Sequence, residues 1–214
     1  VQEISCYYIQ DKFGYCKLMD EATYQRNQEA VESENRFVLK CKNTDRVLLF
    51  TDKGNMHQIK CQDVPLGKFK DKGVPIDNIS KYNANQEEII YANVKSALAG
   101  KTLIFATRDA MVKLVETSEF ETANKLVAAT KLGEGDRLIE IREMAYETDI
   151  VFETHDGYFL RCSLSDIPLQ KKNSKGVIGI RLGKCDTLEH FYLLGTEPVE
   201  ISYRKKPLSL NRLK

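Results

Sequence analysis

Residues 47–65 read VLLFTDKGNMHQIKCQDVP, and this stretch decides the fold. Val47, Leu48, Leu49 and Phe50 form an apolar run of strand length. Thr51-Asp52-Lys53-Gly54 supplies turn chemistry, since Gly54 can take the positive φ that closes many hairpins. A second strand follows, and Asp63-Val64-Pro65 ends it, because proline cannot donate to a ladder. One hairpin says little about a fold; its recurrence says much more.

The same design precedes this stretch and follows it. Tyr7-Tyr8-Ile9-Gln10-Asp11-Lys12-Phe13-Gly14 opens a first copy, and Phe105-Ala106-Thr107-Arg108-Asp109-Ala110 a third, with Ala110 in the glycine slot. Phe152-Glu153-Thr154-His155-Asp156-Gly157 is the fourth, and Leu194-Gly195-Thr196-Glu197-Pro198-Val199 a worn fifth. Positions 14, 54, 110, 157 and 199 are 40, 56, 47 and 42 residues apart, a period that belongs to blades or solenoids. Lys72-Gly73 and Lys175-Gly176 add a second recurring element, each glycine nineteen residues past its hairpin glycine. Lys125-Leu126-Val127 and Lys206-Pro207-Leu208 are looser echoes. In the fourth copy Tyr158, Leu160, Cys162 and Leu164 alternate with polar or exposed positions at period two. The second copy alternates poorly, so its faces stay unassigned. Residues 85–99 could pass for a helix, but a strand through Ile89-Ile90-Tyr91-Ala92 fits the repeat better. The expectation is an all-β, five-bladed disc or open C, with residues 1–214 as one domain.

Composition sets the outer bounds. At 42% hydrophobic and 29% charged residues the chain has ample material for a core. No apolar run approaches a membrane span, which argues against an integral membrane protein. The start, VQEISCYY, lacks both an initiator Met and a signal pattern, as expected of an excised fragment. Six cysteines and three histidines lie scattered with no CxxC pair, so free thiols are expected and neither a metal site nor a cofactor. No GxSxG, HExxH or P-loop pattern is present, so no catalytic constellation is expected.

Net charge is only +1, yet it is segregated. Residues 203–214 hold five basic side chains and no acid, and 165–182 hold four against one. Residues 134–149 hold six acids against two arginines. Segregation of this kind builds basic strips on a nearly neutral protein.

Hairpins of the form apolar-apolar-x-Thr-x-x-Gly, followed by a strand and an Ile/Val-Pro stop, resemble the C-terminal domain of the bacterial type II topoisomerase A subunit, which DNA gyrase and topoisomerase IV both carry. The matching segments are LLFTDKGNMHQIKCQDVP, LIFATRDAMVKLVETSEF and IVFETHDGYFLRCSLSDIP, with the trailing KGVPI and KGVIGIRL. The resemblance implies a β-pinwheel, with propeller-like blades that exchange strands, and a basic outer rim that bends double-stranded DNA. It further implies two protein partners, the rest of the A subunit, and the ATPase B subunit. The setting it implies is bacterial, cytoplasmic and nucleoid-associated. The parent enzyme is then an ATP-dependent isomerase whose strand-cleaving tyrosine lies outside this chain. The gyrase branch carries a glycine- and arginine-rich box in its first blade, reading roughly QRRGGKG. Here the corresponding residues are Tyr24-Gln25-Arg26-Asn27-Gln28-Glu29, in which only Gln25 and Arg26 survive. That departure makes the domain more like topoisomerase IV, with a divergent gyrase as the alternative.

Phosphate-neutralising side chains are expected on the loops that follow each hairpin. Lys68, Lys70 and Lys72 form one group, Lys171, Lys172 and Lys175 another, with Arg181 beyond it and Lys125 and Lys131 between. Arg204, Lys205, Lys206 and Arg212 form a last group near the C-terminus. Lys113 and Arg161, on strands after the turns, join the set because the family often places a basic residue there. Two rival readings remain: a propeller-like protein-interaction module, supported by the modest net charge, and a sugar-binding β protein, which would want clustered exposed aromatics.

Overall fold

The computed structural model describes residues 1–214. Four hairpins recur along the chain, each closed by a tight turn. They are β1 (Ser5–Gln10) with β2 (Tyr15–Asp20), followed by β3 (Phe37–Lys42); and β4 (Arg46–Thr51) with β5 (Asn55–Lys60), followed by β6 (Val74–Pro75) and β7 (Ile89–Val94). Next come β8 (Thr102–Thr107) with β9 (Met111–Glu116), followed by β10 (Leu126–Ala128) and β11 (Leu138–Met144). The fourth is β12 (Asp149–Thr154) with β13 (Phe159–Ser163), followed by β14 (Val177–Ile178) and β15 (Leu188–Leu194). A shorter hairpin, β16 (Glu200–Tyr203) with β17 (Lys206–Ser209), ends the series.

The sheets run β3-β1-β2-β6, β10-β5-β4-β7, β11-β8-β9-β14, β13-β12-β15 and β16-β17. The short strands β6, β10 and β14 therefore each join the sheet of the hairpin one before their own, which is the strand exchange of a β-pinwheel. The architecture is all-β. By its contacts the chain forms two compact units, Val1–Ala99 with Thr122–Val127 and Gly100–Glu121 with Ala128–Lys214.

The Thr-x-x-Gly signature has a local cause. Thr51, Thr107 and Thr154 accept through their carbonyls from the N–H of Gly54, Ala110 and Gly157, at 3.0, 2.9 and 3.0 Å. Their hydroxyls accept from Asn55, Met111 and Tyr158, closing each turn from inside. In the first hairpin Asp11 does the same work, its carboxylate taking the N–H of Tyr15 at 2.9 Å. Ala110 holds φ at 64°, so the turn keeps its left-handed shape without glycine.

The poor alternation of the second copy also has a cause. Every residue of β4 after Arg46 is buried, so both faces of the strand are core and no polar face exists to alternate with. In the first unit Tyr8, Leu18, Val47, Leu49, Ile59 and Ile76 belong to one apolar cluster, which also takes up Cys6, Cys16, Cys41 and Cys61. In the second unit Ile104, Val112, Ile150, Phe152 and Phe191 form the corresponding core. All six cysteines are free thiols.

Three sequence expectations need correction. Tyr158 and Leu160 are 67% and 40% exposed, and it is Phe159 that packs against the cluster of Val151 and Leu210. The last hairpin does not turn at Val199 but at Arg204-Lys205, whose φ values of 50° and 63° make a two-residue turn of the kind that suits strand twist. Lys206-Pro207-Leu208 lies in that hairpin and is no counterpart of β6 or β14, whereas Leu126-Val127 does become the exchange strand β10. The residues matched to the gyrase box form two short helices, α1 (Glu21–Arg26) and α2 (Gln28–Glu34). Asp20 caps α1 by accepting from the N–H of Thr23, and Tyr24 and Val31 turn into an apolar cluster with Ile9 and Met19.

Candidate nucleic-acid interface

The basic loops are held in place by a device that recurs from sheet to sheet. In the first unit, residues 66–73 dock beside β2: the N–H of Leu18 donates to Pro65 O and that of Gly67 to Leu18 O, both at 2.8 Å. Lys17, a charge inside the run Tyr15-Cys16-Lys17-Leu18-Met19, is 8% exposed. Its ammonium donates to the carbonyls of Lys68, Phe69 and Asp71 at 3.0, 2.9 and 2.5 Å. Lys68 and Lys70 are exposed on the outside of this loop, and so is Lys72, whose ammonium rests over the Tyr15 ring at 4.2 Å.

The second unit repeats the arrangement. Leu114 N–H donates to Pro168 O at 2.9 Å and Gln170 N–H to Leu114 O at 2.8 Å. Lys113 is 1% exposed, and its ammonium donates to Lys171 O at 2.8 Å and Ser174 O at 2.7 Å, with Ser174 Oγ at 3.3 Å. Lys171 and Lys175 are exposed; Lys172 is half-buried, its N–H and ammonium both engaged with Glu119. Lys131, also exposed, is tied to the same loop through its N–H to Ser174 O.

Elsewhere the anchor changes chemistry but not purpose. Gln58 sends its amide to Thr122 O and Asn124 O at 2.9 and 3.0 Å, and exposed Lys125 follows directly. Arg161 pairs with Asp149 at 2.7 Å and donates to Asn211 O and Leu213 O at 2.9 and 3.1 Å, which fixes the segment bearing exposed Arg212. Each anchor gives carbonyls of the neighbouring loop a side-chain donor, and bonds from a charged donor are the stronger kind.

Two expected phosphate ligands are thereby corrected. Lys113 is buried, and half-buried Arg161 commits its Nε to a carboxylate and its Nη1 to two carbonyls, so neither is a free exposed cation. Lys17 and Gln58 are loop-anchoring positions that the sequence reading missed. Their signal was a polar side chain inside a strand otherwise buried, as in Met111-Val112-Lys113-Leu114-Val115.

Burial pushes the Lys113 ammonium down to a pKa of about 8, against the pull of the nearby Glu119 carboxylate. Burial lowers Lys17 as well, opposed by the carboxylates of Asp71 and Asp11. Gly73 and Gly176 close the two loops at φ of 85° and 88°, and a Cβ on either would run into a backbone carbonyl, Cys16 O or Val112 O.

The remaining basic residues are placed separately. Arg204 and Lys205 form the tip of the last hairpin, with the Arg204 guanidinium 5.2 Å from the Tyr203 ring. Lys206 is exposed on β17 and Arg181 is exposed just after β14. Gln25 and Arg26 are exposed at the end of α1, where Arg26 reaches Thr23 Oγ1 at 3.4 Å. Glu29, Glu32 and Glu34 follow on α2, so this region carries helix and negative charge rather than a glycine loop. No group of three His, Cys, Asp or Glu side chains is arranged to hold a metal ion, and no helix is long and apolar enough to cross a membrane.

Comparison with known proteins matches this architecture. The family model of the DNA gyrase C-terminal domain, a β-propeller, matches residues 45–94, 101–142 and 148–194. The A subunit of DNA gyrase from Lawsonia intracellularis is 32% identical over 186 residues, covering 82% of this chain and 23% of that protein. The A subunit of DNA topoisomerase 4 from Streptococcus pyogenes serotype M3 is 28% identical over 162 residues, 73% of this chain and 20% of that protein. The chain thus spans about a quarter or less of the curated relatives' length. Among solved structures, a C-terminal domain of DNA topoisomerase IV superposes with a TM-score of 0.86 at 22% identity, over 100% of this chain and 70% of that one. A DNA gyrase A C-terminal domain gives 0.62 at 15% identity, over 96% and 71%. The chain belongs to the family of the gyrase C-terminal β-propeller domain, which type II topoisomerase A subunits carry.

Proposed function

We propose that residues 1–214 act as one non-catalytic domain that binds and bends double-stranded DNA without reading its sequence. The observation that carries this reading is the recurrence of exposed basic loops, each pinned by a side-chain anchor: 68–72 over buried Lys17, 171–175 over buried Lys113, and the segments at Lys125 and Arg212 over buried Gln58 and half-buried Arg161. Lysine and arginine that neutralise phosphates release counterions, and such contacts position a duplex without carrying base information. Bending a site of twenty to thirty base pairs costs on the order of 1–6 kcal/mol, which contacts spread over several blades can offset.

The parent is a type II topoisomerase in which this domain works beside the rest of the A subunit, together with the ATPase B subunit, on the bacterial nucleoid. Topoisomerase IV is the parentage we favour, because Gln25-Arg26 end a helix and Glu29 follows at the head of the next, where a gyrase-type box needs glycines. Without them backbone N–H groups cannot close on phosphate, and Glu29 repels it. The domain then tethers and bends DNA with little chiral wrapping, and its parent relaxes or decatenates rather than supercoils.

The test is to bind the chain to nicked circles, ligate, and read the linking number. Salt-sensitive binding with a small shift is expected. A large positive shift at modest protein ratios would mean gyrase-like wrapping and would overturn the topoisomerase IV assignment. An absence of binding at low salt would leave the protein-interaction reading.

A further inference from the structure

The loop anchors extend the DNA-binding reading, on which this inference rests, from residues that touch phosphate to residues that place them. We propose that Lys113 is a positioning residue for phosphate contact, acting wholly through the loop at 171–175. Three lysines fall within five residues of that loop, and flexible side chains on a flexible backbone would lose much of their charge advantage to chain entropy. Lys113 removes the backbone share of that cost. Its ammonium draws the carbonyls of Lys171 and Ser174 inward, 2.8 and 2.7 Å away, and the loop closes between them with the N–H of Ser174 on Lys171 O. A buried positive charge thereby fixes the placement of exposed ones while never meeting the ligand.

The position is not an accident of one loop. Lys17 occupies the equivalent slot, opposite Ile9 in β1 as Lys113 is opposite Phe105 in β8, and it grips the loop that carries Lys68, Lys70 and Lys72. Gln58 does comparable work with an amide, which shows that directed donors rather than charge alone meet the requirement. Placing an ammonium 1% exposed beneath three other lysines is costly by mutual repulsion and desolvation. Packing alone would be met better by methionine.

The experiment compares four forms of the chain: wild type, Lys113→Met, the triple variant Lys171→Ala/Lys172→Ala/Lys175→Ala, and their combination. Each is tested for binding to a duplex of mixed sequence across a salt series and for amide hydrogen exchange. Lys113→Met should weaken binding roughly fivefold to tenfold and raise exchange across 170–175 while the other sheets stay protected. Lys113→Gln, which retains a donor, should fall between it and wild type. In the triple-variant background Lys113→Met should change affinity no further, a result that general loss of stability would not give. Wild-type affinity in Lys113→Met, or an undiminished loss in the triple background, overturns the proposal. If wild type itself fails to bind DNA, the functional reading falls. The positioning claim is then decided by exchange at 170–175, where unchanged protection would refute it independently.

Discussion

The loops at 66–73 and 169–176 are docked alike, and of the four positions at which their sequences differ the one that bears most on the buried lysine is Asp71 against Ser174. Both follow a proline whose carbonyl pairs with a leucine N–H, both fold over a buried lysine, and both end on a glycine in the left-handed region. In the first loop Asp71 sits among the lysines, and its carboxylate, with that of Asp11, partly balances Lys17. In the second loop the corresponding residue is Ser174, and Lys113 is held by carbonyl and hydroxyl dipoles with Glu119 as the only carboxylate that opposes its downward shift. The scaffold of a repeat can therefore be copied while its electrostatics are retuned. The second loop is the more positive of the two and rests on the more strained cation.

The shared scaffold is the first thing to break. Gly73→Ala and Gly176→Ala should each destabilise the domain by about 3 kcal/mol, a fall in Tm of roughly 6–12 °C if the whole chain unfolds cooperatively, because positive φ and a carbonyl clash act together. Thermal unfolding that spared one and not the other would show that the loops are not docked by the same means.

DNA binding should then separate them. Replacing Lys171, Lys172 and Lys175 by alanine should lower affinity for all sequences alike and flatten the salt slope by roughly 2–3, at about 0.9 per phosphate contact. Replacing Lys68, Lys70 and Lys72 should cost less, since Asp71 already opposes phosphate there. Equal losses in the two titrations would remove Asp71 from the account.

A reciprocal exchange sharpens the contrast. Ser174→Asp should raise the Lys113 pKa from about 8 toward the ordinary lysine range and weaken DNA binding a few-fold, and Asp71→Ser should do the reverse at Lys17. Binding isotherms at fixed salt, paired with stability measured against pH, read both halves.

The smallest effect is a pH step in stability. Lys113 is depressed in the folded state, so between about pH 8 and its unfolded value near 10.5 the unfolded chain binds more protons. The cost of burying the ammonium is fully present below pH 8 and is relieved as pH rises through that window. The Tm of wild type minus that of Lys113→Met should therefore increase from about pH 7.5 to about pH 10, whereas a flat difference would mean that Lys113 keeps its proton throughout.

Much of this was readable from residues alone. Thr-x-x-Gly turns, with alanine for glycine at 110, are local devices closed by a hydroxyl and a carbonyl of the same short segment, so they marked three of the five hairpins directly. Asp11-x-x-Gly14 marked a fourth, with a carboxylate in place of the hydroxyl. The twin Lys-Gly elements marked β6 and β14 for a similar reason, since each needs a left-handed residue where another backbone passes close. The fifth hairpin was misplaced because Arg204 and Lys205 adopt positive φ without glycine, a choice that β16 and β17 impose through their pairing. Which lysines face outward was decided only in three dimensions. In sequence Lys113 stands inside an apolar strand run and Lys171 in a polar loop, but neither setting names the groups that meet the charge. Whether the charge is a ligand or an anchor depends on which carbonyls the chain brings to it from some sixty residues away, and that long-range placement is the work of the exchanged strands.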